Sequence, residues 1–144
     1  MIVQLQPDQI SEYWWQIKYG ATHAMELEPP ANEYTQALFA GLLSGTHQCW
    51  LMFDEDRNLS AMGITCIVQE NLTGINRLHI DAFYSYSTLS EDIALEATEY
   101  VKAYARDSGC KQIRALTSNP RAARLLAIAG FYTGKTEYLL ECLG

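Results

Sequence analysis

The order of apolar runs in the middle of the chain constrains its fold more than any other feature. Gln48 to Phe53, Leu59 to Gln69 and Arg77 to about Tyr86 are short, apolar and rich in β-branched or aromatic residues. The links between them, Asp54-Glu55-Asp56-Arg57-Asn58 and Asn71 to Asn76, are too short for a parallel return, so the three strands run antiparallel. Residues 89–107 then take helical spacing, with Ile93, Ala97, Tyr100, Val101 and Tyr104 on one face. Ser108-Gly109 stops this helix, and Lys111 to Leu116 is again strand-like. A helix between two strands is the covered crossover that a parallel pair requires, and such crossovers are right-handed.

The flanks extend this pattern. Residues 2–6 predict a short strand, and Pro7-Asp8 opens a helix in which Ile10, Tyr13, Trp14 and Ile17 recur at helical spacing. Pro29-Pro30 breaks the chain, a second helix runs from about Asn32 to Leu43, and Ser44-Gly45 ends it. After Leu116 come a helix from Pro120 to Ala129 and a strand from Thr136 to Leu143. The expected order is β-α-α-β-β-β-α-β-α-β, an α/β (α+β) fold with a mixed central sheet flanked by helices. At 144 residues it reads as a single domain, residues 1–144.

Composition narrows the function classes. A net charge of −7 disfavours nucleic acid and anionic membrane as partners. No apolar run approaches the roughly 20 residues of a membrane span. The N-terminus has no basic or apolar signal segment, so a cytoplasmic location is expected. The charge is unevenly spread: residues 1–100 carry −11 and residues 101–144 carry +4. Cys49, Cys66, Cys110 and Cys142 form no C-x-x-C pair, so they read as reduced, buried thiols and no metal is indicated.

The segment Asn119-Pro-Arg-Ala-Ala-Arg-Leu-Leu-Ala-Ile-Ala-Gly-Phe131 resembles the signature N-x-x-A-x-x-L-Y-x-x-x-G-F of GNAT N-acetyltransferases. Asn119, Ala122, Leu125, Gly130 and Phe131 fall on that pattern without a gap. The physical logic agrees: Asn119 caps a helix, Pro120 suits its first turn, Gly130 supplies a left-handed stop and Phe131 plugs the core. The overall layout is also similar to small GNAT-like proteins encoded by bacteriophages. The resemblance implies transfer of acetyl from acetyl-CoA to a small amine or a peptide amine. It equally leaves open a non-catalytic GNAT-fold binding or accessory protein.

Two departures bear on chemistry. The signature tyrosine, often the acid that protonates the leaving thiolate, is Leu126 here. The family's glycine-rich pyrophosphate loop is replaced by Ser85-Tyr-Ser-Thr-Leu-Ser-Glu-Asp92, with neither glycine nor basic residue. Thr88 and Glu91 have the spacing of a capping box, and Ser87, Thr88 and Ser90 offer hydroxyl donors to a phosphate.

For catalysis the resemblance places a carboxylate base on the third central strand, at Asp81, with His79 two residues away on the same face. Tyr84 and Tyr86, at one parity further along, are candidate proton donors. The strand around Ala82 and Phe83 is expected to bulge and contact the pantetheine arm. Asn119, Arg121 and Arg124, with Arg106, Lys111 and Arg114 nearby, are candidate contacts for the nucleotide end of the coenzyme. His23, Glu26, Glu28 and Glu33 lie where the family binds its acceptor, though a solvated loop explains them equally. Tyr13, Trp14 and Trp15 cannot all face inward, since neighbours on a helix are about 100° apart; one of them lines a cleft or an oligomer contact, and a homodimer is one reading.

Overall fold

The computed structural model describes residues 1–25, 32–117, 119–134 and 140. Five strands form one sheet in the order β1-β2-β3-β4-β5: Ile2–Gln4, His47–Phe53, Leu59–Gln69, Asn76–Ser85 and Cys110–Ala115. The first four are antiparallel neighbours and β5 returns parallel to β4. The helices are α1 (Ile10–Ala24), α2 (Asn32–Ser44), α3 (Glu91–Asp107) and α4 (Pro120–Ile128). The expected strand over 136–143, the Pro29-Pro30 break, Glu26 and Glu28 lie outside the described residues.

Strand alternation divides the core into two layers. Cys49, Leu51, Met62, Ile64 and Ala82 point to the face covered by α1 and α2, where Ile10, Ile17, Ala21, Leu38 and Leu42 meet them. Trp50, Met52 and Ala61 point to the other face and pack with Ala97, Ile93, Val101 and Tyr104 of α3. Tyr100, expected on that apolar stripe, is 51% exposed instead. The three aromatics of α1 separate as helix geometry demands. Tyr13 meets Phe53 and Trp14 meets Phe39 edge-on, while Trp15 stands 78% exposed.

Two helical glycines let the α1–α2 layer sit close to the sheet. A Cβ on Gly20 would come within 2.8 Å of the Tyr86 hydroxyl and 2.9 Å of Met62. A Cβ on Gly41 would lie 2.4 Å from Nδ1 of His47. Glycine costs a helix interior about 1 kcal/mol relative to alanine, so these positions trade helix propensity for close approach. The start of β4 is held from both sides: Arg77 pairs with Glu70 and donates from Nε to the Gln112 side chain at 2.7 Å.

The signature helix behaves locally as its sequence implies. The Asn119 side chain accepts from the Arg121 and Ala122 N–H groups at 2.9 and 3.4 Å. Gly130 takes φ +98°, and the Gly130 and Phe131 N–H groups return to the Ala127 and Leu126 carbonyls, which is a Schellman stop. Phe131, expected to plug the core, is half-buried and belongs to neither buried cluster among the described residues.

Candidate active site

The site begins with a defect in the β3–β4 ladder. Thr65 pairs with Ile80 but Ile64 pairs with Ala82, so Asp81 is the extra residue of a β-bulge. Opposing residues of a ladder share a face, so His79, opposite Cys66, lies on the side of α2. The bulge returns Asp81 to that side and resets the parity beyond it, bringing Ala82, Tyr84 and Tyr86 there as well. Pairing between β4 and β5 ends at Ile80 with Ala115, whereas β4 stays paired with β3 as far as Ser85. From Asp81 to Ser85 the β5 side of the strand is therefore without a ladder partner among the described residues.

Asp81 opens into a cavity of about 390 Å³ whose wall includes Tyr34, Leu38, His47, Ile64, His79 and Arg114. His47 Nε2 stands 3.7 Å from Asp81 Oδ2, each side chain about one-third exposed at 33%. The imidazole facing the carboxylate is thus His47, which the sequence reading did not single out; His79 lines the same cavity. Burial, and then the Arg114 cation, lower the His79 pKa below its ordinary 6.5 against the pull of Asp81, so His79 is neutral at pH 7. Cys66 also faces Asp81: burial, then its hydrogen bond to that carboxylate, push the thiol up to about 12. Burial followed by the Asp81 charge raises Tyr34 as well. Cys66, expected to be buried and inert, is half-buried and faces Asp81.

The two candidate tyrosines differ. Tyr86 donates its hydroxyl to the Gln16 carbonyl of α1, and burial raises its pKa strongly, with Cys49 and Tyr84 adding to the rise. Its proton is committed to a strut between β4 and α1. Tyr84 sits edge-on to Tyr19 and Tyr86, with His23 stacked on Tyr19 behind it. Burial, then the hydroxyl of Tyr19, raise its pKa, so Tyr84 keeps its proton at neutral pH. His23 is held there by its hydrogen bond to the Tyr19 carbonyl at 2.7 Å.

The other candidates are scattered. Ala82 is buried under α1, while Phe83 turns to the α3 side. Ser87, Thr88 and Ser90 are exposed in the turn before α3. The capping box expected from Thr88 and Glu91 is corrected: the N-cap is Ser90, whose hydroxyl accepts from the Ile93 N–H at 3.2 Å, and the helix starts at Glu91 rather than 89. Position N3 is therefore Ile93, which has no side chain to return a hydrogen bond. Arg121 and Arg124 are exposed on α4. Arg114, grouped with them on sequence, lies instead in the cavity wall.

No protein-family model matches this sequence, and no curated protein does. Solved structures do match. An aminoglycoside acetyltransferase from an uncultured soil metagenomic sample, in complex with sisomicin, aligns with TM-score 0.78 at 9% identity, over 100% of this chain and 96% of that one. A predicted acetyltransferase from Clostridium acetobutylicum with acetyl-CoA gives TM-score 0.74 at 15% identity, over 98% and 95%. A ribosomal-protein-alanine N-acetyltransferase from Brucella melitensis biovar Abortus 2308 gives 0.69 at 16%, over 99% of each chain. The chain has the GNAT acyltransferase fold; at such identities the likeness carries the fold alone. Among the described residues no helix is long and apolar enough to cross a membrane.

Proposed function

We propose that this protein is a GNAT-family N-acetyltransferase that moves acetyl from acetyl-CoA to a primary amine. The observation that carries the reading is the bulge that turns Asp81 into the cavity where the β4–β5 ladder ends. The unpaired backbone from Asp81 to Ser85 suits the amides of a pantetheine arm, which would lie along Ala82 and Phe83 like an added strand. The acceptor ammonium gives a proton to Asp81, and the freed amine attacks the thioester carbonyl. The C–S bond breaks as Tyr84 protonates the departing thiolate, and the surplus proton on the new amide nitrogen restores the Tyr84 phenol. Much of the rate in such transfer comes from positioning, which a walled cavity beside a strand edge provides.

The cavity also speaks to the acceptor. Among the described residues its wall is largely apolar, with Met25, Tyr34, Leu38, Ile64, Ile80 and Leu116, and its carboxylate is Asp81. An apolar wall around a carboxylate suits an amine carried on an apolar body. On the coenzyme side Ser87, Thr88 and Ser90, with Asn119, Arg121 and Arg124 further round, are the groups available to phosphates.

A second reading, a GNAT-fold protein that binds without catalysing, draws on the glycine-free Ser85–Asp92 turn and on Leu126. Calorimetric titration with acetyl-CoA, followed by an acetyl-transfer assay over small amines and peptide amines, separates the two. Saturable binding with transfer is the expected result. No heat and no transfer at millimolar acetyl-CoA would leave the binding protein as the surviving reading.

A further inference from the structure

The corner of the cavity around Asp81 has a second chemical character. His47, Cys66 and Asp81 come from three adjacent strands, and the bulge sets the third beside the first two. They offer one imidazole nitrogen, one sulfur and one carboxylate oxygen, all within 4.8 Å of one another. Tetrahedral zinc, with bonds of about 2.0–2.3 Å, holds neighbouring ligand atoms roughly 3.3–3.8 Å apart. The 3.7 Å between His47 Nε2 and Asp81 Oδ2 is a few tenths of an ångström wider than the roughly 3.3–3.4 Å of a nitrogen and an oxygen on one zinc, and it is too long for an N–H···O hydrogen bond.

The far side of the His47 ring supports the same arrangement. Nδ1 lies 3.2 Å from the Thr46 hydroxyl, whose own proton is directed to the Gly41 carbonyl at 3.3 Å. With Thr46 accepting from Nδ1–H, Nε2 is the nitrogen left to bind a cation beside the Asp81 oxygen. A hydroxyl or carbonyl that fixes the outer nitrogen is also the usual support of a metal-binding histidine.

We propose that His47, Cys66 and Asp81 bind one zinc-type divalent cation, with its fourth position open to the cavity. The mixed sulfur, nitrogen and oxygen set selects zinc or cobalt over magnesium or calcium. Three protein ligands with an open position is the pattern of reactive rather than structural zinc. Cys66 binds as the thiolate and its proton passes to solvent. Sequence spacing conceals the site, because ligands 19 and 15 residues apart match no metal motif. Where Asp81 also serves as the base for an amine, a clause that rests on the function proposed above, metal and amine compete for the same carboxylate.

Cobalt(II) titration of the full chain tests the site without reference to activity. The expected result is a thiolate-to-cobalt absorption band saturating at one equivalent and reversed by excess zinc. Cys66→Ser should abolish the band and weaken zinc at least tenfold, Thr46→Val should weaken zinc about tenfold, and Cys110→Ser should change neither. Zinc should raise the thermal midpoint of the native chain but not of Cys66→Ser, and the metal-free midpoints report whether that variant folds. No band in the native chain, or a band that survives Cys66→Ser, overturns the site. A metal site without acetyl transfer would count against the enzyme reading alone, and transfer without a cobalt band would count against the metal alone.

Discussion

Two regions meet on β4 and differ in how they are built. Around Asp81, a bulge, the helical Gly41 and a hydroxyl-anchored imidazole converge on one cavity. Beyond Ser85, where GNAT folds cradle a pyrophosphate, the chain makes an exposed Ser/Thr turn and an ordinary serine-capped helix with Glu91 and Asp92 in its first turn. Helix α4 is likewise well capped but has no fully buried residue, and its arginines point to solvent. The region around Asp81 is thus specified by tertiary contacts between distant residues, and the turn and helix starts beyond it by local hydrogen bonds. The largest consequence of a mutation should follow the same division.

Asp81→Asn tests the first region most directly. It keeps the volume and removes the base, so acetyl transfer should fall by about 10²- to 10⁴-fold while acetyl-CoA affinity changes little. Steady-state rates together with calorimetry check this. Equal activity in the variant would remove Asp81 from the chemistry and the acceptor side from its special place.

Gly41→Ala comes next. Alanine favours a helix over glycine by about 1 kcal/mol, yet here its Cβ would sit 2.4 Å from His47 Nδ1. The ring must leave its place between Thr46 and Asp81, and overpacking of this kind costs about 1–3 kcal/mol. Denaturant unfolding should show a net loss of stability. A gain would mean that the cavity wall yields easily.

Tyr86 adds a pH dependence to the same region. Its folded pKa is raised above the unfolded value of about 10 by burial. The native state therefore holds a proton that the unfolded chain releases, so the stabilisation is full below about pH 10 and declines as pH rises beyond it. Tyr86→Phe should flatten that alkaline decline in melting temperature relative to the native chain. The other region predicts only local losses: Asn119→Ala should cost about 1 kcal/mol through its cap, with no effect on the cavity.

The same contrast explains what the sequence could reveal. Leu59–Gln69 was legible to the residue, because alternation and flanking turns are local signals. The Asn119 cap and the Gly130 stop were legible for the same reason. Asp81 was singled out as a candidate through a family pattern, but His47, which faces it, was not, because a residue 34 positions away is brought to it only by register and a bulge. Cys66 looked inert because an apolar strand context says nothing about which carboxylate the ladder brings beside it. Thr88 was preferred to Ser90 as the cap because the two spacings compete in one short serine-threonine stretch, and the register of the helix decides between them.

The smallest expected effect belongs to the turn before α3. Glu91 and Asp92 are exposed at the positive end of the α3 dipole, where an anion would otherwise be favoured. Exposed charges act through water and salt, so each should oppose a pyrophosphate by no more than about 1 kcal/mol. Replacing both by Gln and Asn should tighten acetyl-CoA by a few-fold at low ionic strength and by less at high salt, whereas Arg121→Glu should loosen it with the same salt dependence. If neither change alters affinity, the coenzyme phosphates do not approach the α3 terminus or α4. If the double variant tightens binding by orders of magnitude, the turn is a formed phosphate site held shut by two carboxylates, and the contrast with the Asp81 cavity disappears.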